Sequence, residues 1–252
     1  MWKLVFGSVQ GTSHGASGLP CQDYCLGKAV GTTLVAACAD GAGSAELSQL
    51  GAQAAVDRFM EVATTDPKPT ESQVAAWVEA ARERLLDVAK ANGASPRQLA
   101  CTFIATLVGD GWASFAQIGD GLIVFHGQEG YTLAFWPDSG EYINTTRFLS
   151  DDNYREHLRV EIIEQQVDEL AVMTDGLQML ALDMNESRVH ERFFVPLFNA
   201  LRNGPEAETL QPSLLAFLAS PRVNERTDDD KTLLLAIRVA PNDTPSLSDA
   251  TA

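Results

Sequence analysis

Four aspartates stand where apolar runs meet glycine-rich or acidic turns. They are Asp40 in Ala39-Asp40-Gly41-Ala42-Gly43-Ser44, Asp120 in Gly119-Asp120-Gly121, Asp175 in Thr174-Asp175-Gly176-Leu177, and Asp229 in Asp228-Asp229-Asp230-Lys231-Thr232. Any one of them is explained by turn formation or helix capping. If the adjoining strands belong to one sandwich, however, their ends bring the carboxylates together, and crowded like charges resist ionisation. Divalent cations resolve that conflict, and an oxygen-only donor set suits Mg²⁺ or Mn²⁺ rather than zinc or copper. Two ions sharing a bridging carboxylate can hold a water, lower its pKa and direct it at phosphorus. That is hydrolase chemistry, and it needs no nucleophilic Ser or Cys.

The elements that must position these groups follow from periodicity. Residues 2–9, 23–28 and 32–39 read as strands, the last being an apolar run that ends at Asp40. The Gly-rich stretch 11–18 between the first two reads as a loop. Two long amphipathic helices are predicted over 45–63 and 71–92. Thr64-Thr65-Asp66-Pro67-Lys68-Pro69 breaks the first, and Gly93 caps the second. From residue 99 the pattern changes to strands, over 100–108, 112–118, 122–125 and 131–135. Asp110-Gly111 suits a tight reversal between the first two, and the four together read as an antiparallel meander. Residues 136–157 lack periodicity and read as a surface excursion. Strands resume at 158–164 and 169–174, helices fill 176–183, 188–202 and 207–219, and a last strand covers 232–238. Strands, two inserted helices, more strands, helices and a final strand predict an α+β fold with helices covering sheets, not a doubly wound parallel one.

Composition narrows the function further. The chain has 252 residues, 45% apolar and 21% charged, an ordinary globular balance that is expected to form one domain over 1–240. The Ser-, Thr-, Asp- and Pro-containing stretch 241–252 reads as a disordered tail. Lys and Arg number 18 against 34 Asp and Glu, a net charge of −16. Such a surface repels nucleic acid and anionic membranes. No leader-like segment or membrane-length apolar run is present, so a cytoplasmic location is expected. Cys21, Cys25, Cys38 and Cys101 lack the second pair or histidine cluster that a zinc site needs. There is no GxxxxGK phosphate loop, and Gly109-Asp110-Gly111 joins two strands instead of opening a helix, so it is no dinucleotide fingerprint.

Taken in order, Gln22-Asp23, the Asp-Gly-x-Gly turn at Asp40, the Gly-Asp-Gly turn at Asp120, Thr174-Asp175-Gly176-Leu177 and Asp229-Asp230-Lys231-Thr232 resemble the type 2C, metal-dependent (PPM-type) serine/threonine protein phosphatases, across nearly the whole chain. The resemblance implies a four-layer α/β/β/α sandwich of two antiparallel sheets flanked by helices. It implies two Mn²⁺ or Mg²⁺ ions: Asp40 bridging them, the Gly41 carbonyl on one, and Asp175 and Asp229 completing the other. Asp120, followed by Gly121 where the family has Ser, matches the turn that helps hold a third ion, and Asp23 matches the acid of the first motif. The activity implied is removal of phosphate from phosphoserine or phosphothreonine. The implied partners are a phosphorylated protein and a cognate Ser/Thr kinase or its targets, with a monomer expected.

Besides Gly121, the chain departs from the family at three places. Gln22 replaces a glutamate, the phosphate-binding arginine is missing near Gly18, and Ala42 stands where many eukaryotic members have a histidine acid. His14, in the same loop as Gly18, is the candidate for a phosphate contact or proton donor in their place. Tyr142, Arg147, Tyr154 and Arg155 lie where the family carries a flap and are candidates for substrate contact. These departures keep a rival reading open: a pseudophosphatase that binds a phosphoprotein or kinase without hydrolysing it. A third reading makes the ions structural only.

Overall fold

The computed structural model describes residues 1–128, 130–136, 146–184 and 186–239. Tyr142 and the stretch 241–252 lie outside the described residues. Two five-stranded antiparallel sheets face each other. The first contains β2 (Tyr24–Val30), β3 (Thr33–Ala39), β4 (Phe103–Gly109), β5 (Trp112–Ile118) and β8 (Arg159–Ile163), paired in that order. The second has the order β1-β12-β9-β6-β7, from Trp2–Val9, Lys231–Arg238, Glu169–Met173, Leu122–Gly127 and Gly130–Leu133.

Two-sided packing explains why β3, β4 and β5 are buried at every position. Leu34, Ala36 and Cys38 of β3 point between the sheets with Ile104, Phe115, Ile123, Val172 and Leu234. Val35, Ala37 and Ala39 of the same strand point outward, against Phe59 and Met60 of α2 (Ser48–Val62) and Val78 and Leu85 of α3 (Glu71–Ala91). On the far side, Val5, Leu122, Ala171 and Leu235 meet Phe194 and Phe198 of α6 (Glu191–Asn203) and Leu214 and Leu218 of α7 (Ala207–Leu218). Three apolar layers between four structural ones make the α/β/β/α sandwich. Cys25 and Cys38 oppose each other across β2 and β3 inside it, both buried.

α3 begins where its capping box predicts: Thr70 Oγ1 accepts from the Gln73 amide at 3.3 Å, and Gln73 Oε1 accepts from the Thr70 amide at 2.9 Å. Gly93, with φ +64°, closes it as expected.

Two expectations change. Thr12–Ser17 is a short helix, α1, not a loop; it buries no residue, so it leaves no apolar periodicity to read. The strands from 103 to 133 are not one meander. β4 and β5 form the expected hairpin about Asp110-Gly111, but β6 belongs to the other sheet, so Gly119-Asp120-Gly121 crosses between sheets. Short elements also appear within predicted stretches: α4 (Tyr154–His157) in the excursion, then α5 (Gln178–Ala181), the two-residue strands β10 (Leu182–Asp183) and β11 (Arg188–Val189), and α8 (Pro221–Asn224). No helix among the described residues is long and apolar enough to cross a membrane.

Candidate metal centre

Strand register gathers the aspartates. Tyr24 pairs with Ala39, which places Asp23, just before β2, beside Asp40, just after β3. Met173 pairs with both Leu233 and Leu122. Asp175 after β9, Asp229 before β12 and Asp120 before β6 therefore leave the second sheet at its common end. Because the sheets are stacked, both sets open at one edge of the sandwich.

The turns are held by backbone rather than by chance. The Asp40 amide donates to Thr102 Oγ1 at 3.0 Å, and its carbonyl accepts from the Thr102 amide at 2.8 Å. The Gly41 amide donates to the Gln22 carbonyl at 3.2 Å, joining the first two motifs. A Cβ on Gly41 would lie 2.8 Å from both that carbonyl and Ser48 Cβ, so close packing is what demands glycine there. Gly176 is similarly constrained: a Cβ would come 2.0 Å from the Asp230 carbonyl.

The carboxylates feel one another. Asp23 is buried and its Oδ2 accepts from Thr174 Oγ1 and Thr232 Oγ1, each at 2.8 Å. Burial pushes it up to about 6, opposed by hydrogen bonds from Asp40 and the two threonines. Asp40 is pushed up to about 11 by burial first, then by the charges of Asp23 and Asp175, with Asp229 contributing. Asp175 rises to about 7 through burial and the charges of Asp120, Asp229 and Asp23. Asp23, Asp40 and Asp175 are thus each held above the ordinary carboxylate range by burial and by acidic neighbours, with no basic side chain among the causes.

The donor set fits a hard cation. Asp23 Oδ1, Asp120 Oδ1 and Gln22 Oε1 are buried oxygens without a hydrogen-bond partner, costly unless something positive faces them. Among the described residues no three His, Cys, Asp or Glu side chains close on one point as a complete cage. Mg²⁺-like ions keep most of their shell as water and need only one or two carboxylates, which the half-buried Asp40, Asp120, Asp175 and Asp229 can offer while open to solvent.

One acid that the turn pattern alone passes over, as a mere turn residue, is central. Asp230 is 2% exposed, and its oxygens take the Gly11 amide at 2.6 Å and the Gln22 amide at 2.5 Å. His14 Nδ1 lies 2.9 Å from its Oδ2, a charge contact off the line of a straight hydrogen bond. The turn of α1 is anchored in the same place: the Ser13 amide and hydroxyl both donate to the Asp228 carbonyl, at 2.9 and 2.8 Å. His14 Nε2 then points toward the Asp40 turn, 3.6 Å from where a Cβ on Gly43 would be.

The predicted flap residues divide. Thr146 Oγ1 donates to Asp120 Oδ2 at 2.9 Å, and the Arg147 carbonyl lies beside Gly119, so that segment adjoins the centre. Tyr154 and Arg155 instead bind Glu79 of α3.

The sequence matches the family model for protein phosphatase 2C over residues 10–219. It is 38% identical to serine/threonine-protein phosphatase 3 of Escherichia coli K12 over 248 residues, 94% of this chain and 98% of that protein. Among solved structures, the Mycobacterium tuberculosis serine/threonine phosphatase PstP/Ppp superposes with a TM-score of 0.65 at 14% identity, covering 95% of this chain and 99% of that one. The catalytic domain of PstP in complex with two manganese ions gives 0.61 at 15% identity, covering 95% and 100%. At such identities the structural likeness speaks for the fold.

Proposed function

The chain belongs to the protein phosphatase 2C family and is a phosphatase; from that premise we propose that it hydrolyses phosphoserine and phosphothreonine in a partner protein by direct attack of water at a two-metal centre. The observation that carries this reading is the convergence of Asp23, Asp40, Asp120, Asp175 and Asp229 into one mutually repelling cluster. Two Mn²⁺ or Mg²⁺ ions, held by Asp40, the Gly41 carbonyl, Asp175 and Asp229 with Asp23 behind them, would supply an activated water and neutralise phosphate charge. Asp120, fixed by Thr146, is the side chain for a third ion.

The chain's own residues supply the rest. Thr174 and Thr232 orient Asp23 beside Asp40. Asp230 holds the His14 ring so that Nε2 faces the Asp40 turn, where it donates a proton to the departing serine or threonine oxygen or contacts the phosphate. This assigns His14 the work that Ala42 cannot do. The partner is a phosphorylated protein, with a cognate Ser/Thr kinase or its targets as the source of phosphate, and the enzyme acts as a monomer in the cytoplasm.

Purified protein with millimolar Mn²⁺ is expected to hydrolyse p-nitrophenyl phosphate and a phosphothreonine peptide, and Asp175→Asn to abolish both. Full activity in EDTA would overturn the metal mechanism. Phosphopeptide binding without turnover under any divalent ion would favour the pseudophosphatase reading, for which Gln22 in place of an acid is the supporting observation. Saturable stabilisation by Mn²⁺ with no turnover would leave the ions structural.

A further inference from the structure

Residues of α6, α8 and β11 line a groove of about 1110 Å³. Its floor is apolar: Phe193, Leu197 and Phe217 line it and are only partly covered by the core. The Phe193 and Phe217 rings lie 6.3 Å apart. Its rim is basic. Arg188 is engaged by Asp183 and Glu186, but Arg192 and Arg222 are exposed and make no ion pair or hydrogen bond among the described residues. Glu191 is the acid on the same rim. In a chain of net charge −16, two exposed arginines lining the same groove as Phe193 and Phe217 are left without an ion pair or hydrogen bond among the described residues.

The groove is coupled to the catalytic edge through the backbone. α5, which contributes Leu180 to it, continues from the turn opened by Asp175. α8, which contributes Arg222, is tied to the last acidic turn by Lys231, whose Nζ donates to Asn224 Oδ1 at 3.0 Å and to the Asp229 carbonyl at 3.2 Å.

We propose that this groove docks an acidic segment bearing large apolar side chains, supplied by the phosphoprotein substrate. Phe193, Leu197 and Phe217 take the apolar side chains, and Arg192 and Arg222 pair with the carboxylates. Charge selects the occupant. A basic segment would be drawn to the acidic surface at large and so gain no fixed position, whereas an acidic one is repelled except here. The inference rests on the phosphatase reading for its choice of partner.

The test uses a fluorescein-labelled peptide of alternating glutamate, leucine and phenylalanine, its counterpart with lysine for glutamate, and a phosphothreonine peptide extended by the acidic sequence. Fluorescence anisotropy is expected to show saturable, salt-weakened binding of the acidic peptide alone. Binding should weaken about tenfold or more in the double variant Arg192→Glu/Arg222→Glu and in Leu197→Glu. The same variants should lower kcat/KM for the extended phosphopeptide by a similar factor while p-nitrophenyl phosphate turnover stays within about twofold of the parent. Melting curves check that they fold. Hydrolysis of p-nitrophenyl phosphate without acidic-peptide binding would overturn the groove and leave the phosphatase reading standing. Peptide binding without hydrolysis would do the reverse. Equal binding of the lysine peptide, or self-association by sedimentation that the double variant abolishes, would also overturn the proposal.

Discussion

Replacing Asp40 with asparagine separates the electrostatic cost of the centre from its use. In the metal-free protein Asp40 is pushed up to about 11 from an ordinary 3.8, by burial and then by its acidic neighbours. The folded chain therefore holds a proton that the unfolded chain has shed, and stability falls as pH rises from about 4 toward 11. At pH 7 that proton costs roughly 1.4 kcal/mol for each of about three pH units, or about 4 kcal/mol, and at pH 5 about 2 kcal/mol. Asparagine has the shape of the neutral acid and takes up nothing. In EDTA, Asp40→Asn is thus expected to be more stable than the parent by up to about 4 kcal/mol at pH 7, roughly 8–16 °C in Tm for a chain of this size. The gap should shrink as pH falls. Millimolar Mn²⁺ should reverse the order, because an ion that binds only the folded parent stabilises it by RT ln(1 + [Mn²⁺]/Kd). Phosphatase activity should be lost throughout. Thermal and urea melts at pH 5 and pH 7, with EDTA or Mn²⁺, decide the matter. A variant less stable than the parent in EDTA at both pH values, or a gap that ignores pH, would refute the electrostatic account.

Two further substitutions probe the supports of the cluster. Gly41→Ala would place a methyl group 2.8 Å from the Gln22 carbonyl and from Ser48 Cβ; it is expected to cost about 1–3 kcal/mol in urea denaturation and to raise the Mn²⁺ concentration needed for half-maximal turnover, since the carbonyl proposed as a ligand must shift. Asp230→Asn can accept from only one of the Gly11 and Gln22 amides and no longer bears the charge facing His14. It should lose about 1–3 kcal/mol and, more tellingly, displace a limb of the kcat–pH profile while leaving KM for p-nitrophenyl phosphate nearly unchanged. An unchanged profile would make Asp230 a structural bond alone.

The fold was legible where burial writes a pattern. β3 is buried at all seven positions, and apolar at the six after Thr33, because one face meets the other sheet and the opposite face meets α2 and α3. α2 and α3 show helical spacing because each has a single buried side. α1 was not legible for the complementary reason: none of its residues is buried, and what holds it is a set of hydrogen bonds to the Asp228 carbonyl and the Asp230 carboxylate, remote in sequence. The crossing at Asp120 escaped as well. A Gly-Asp-Gly turn serves a hairpin or a jump between stacked sheets equally, and only the pairing of β6 with β9 decides between them.

The site was legible for a related reason and only in part. An antiparallel sheet returns every second strand end to the same edge, so acids placed at alternate ends converge without any local signal between them. That logic singles out Asp40, Asp120, Asp175 and Asp229, whose strand ends the structure brings to one edge, but it reads Asp230 as a turn residue beside Asp229. Three identical side chains in a row leave the turn in three directions: Asp228 exposed, Asp229 half-buried at the edge, Asp230 buried beneath α1. A carboxylate that accepts two amides and faces an imidazole loses much of its solvation but regains it in directed bonds, whereas its neighbour Asp229 takes only the Asp230 amide, on Oδ1 at 2.8 Å, and stays half-buried at the edge. The charge of Asp230 therefore goes into fixing where α1 sits, and through α1 into where His14 points. Asp230→Asn, a change of one atom in a residue with no place in the metal's ligand set, should for that reason be felt in proton transfer.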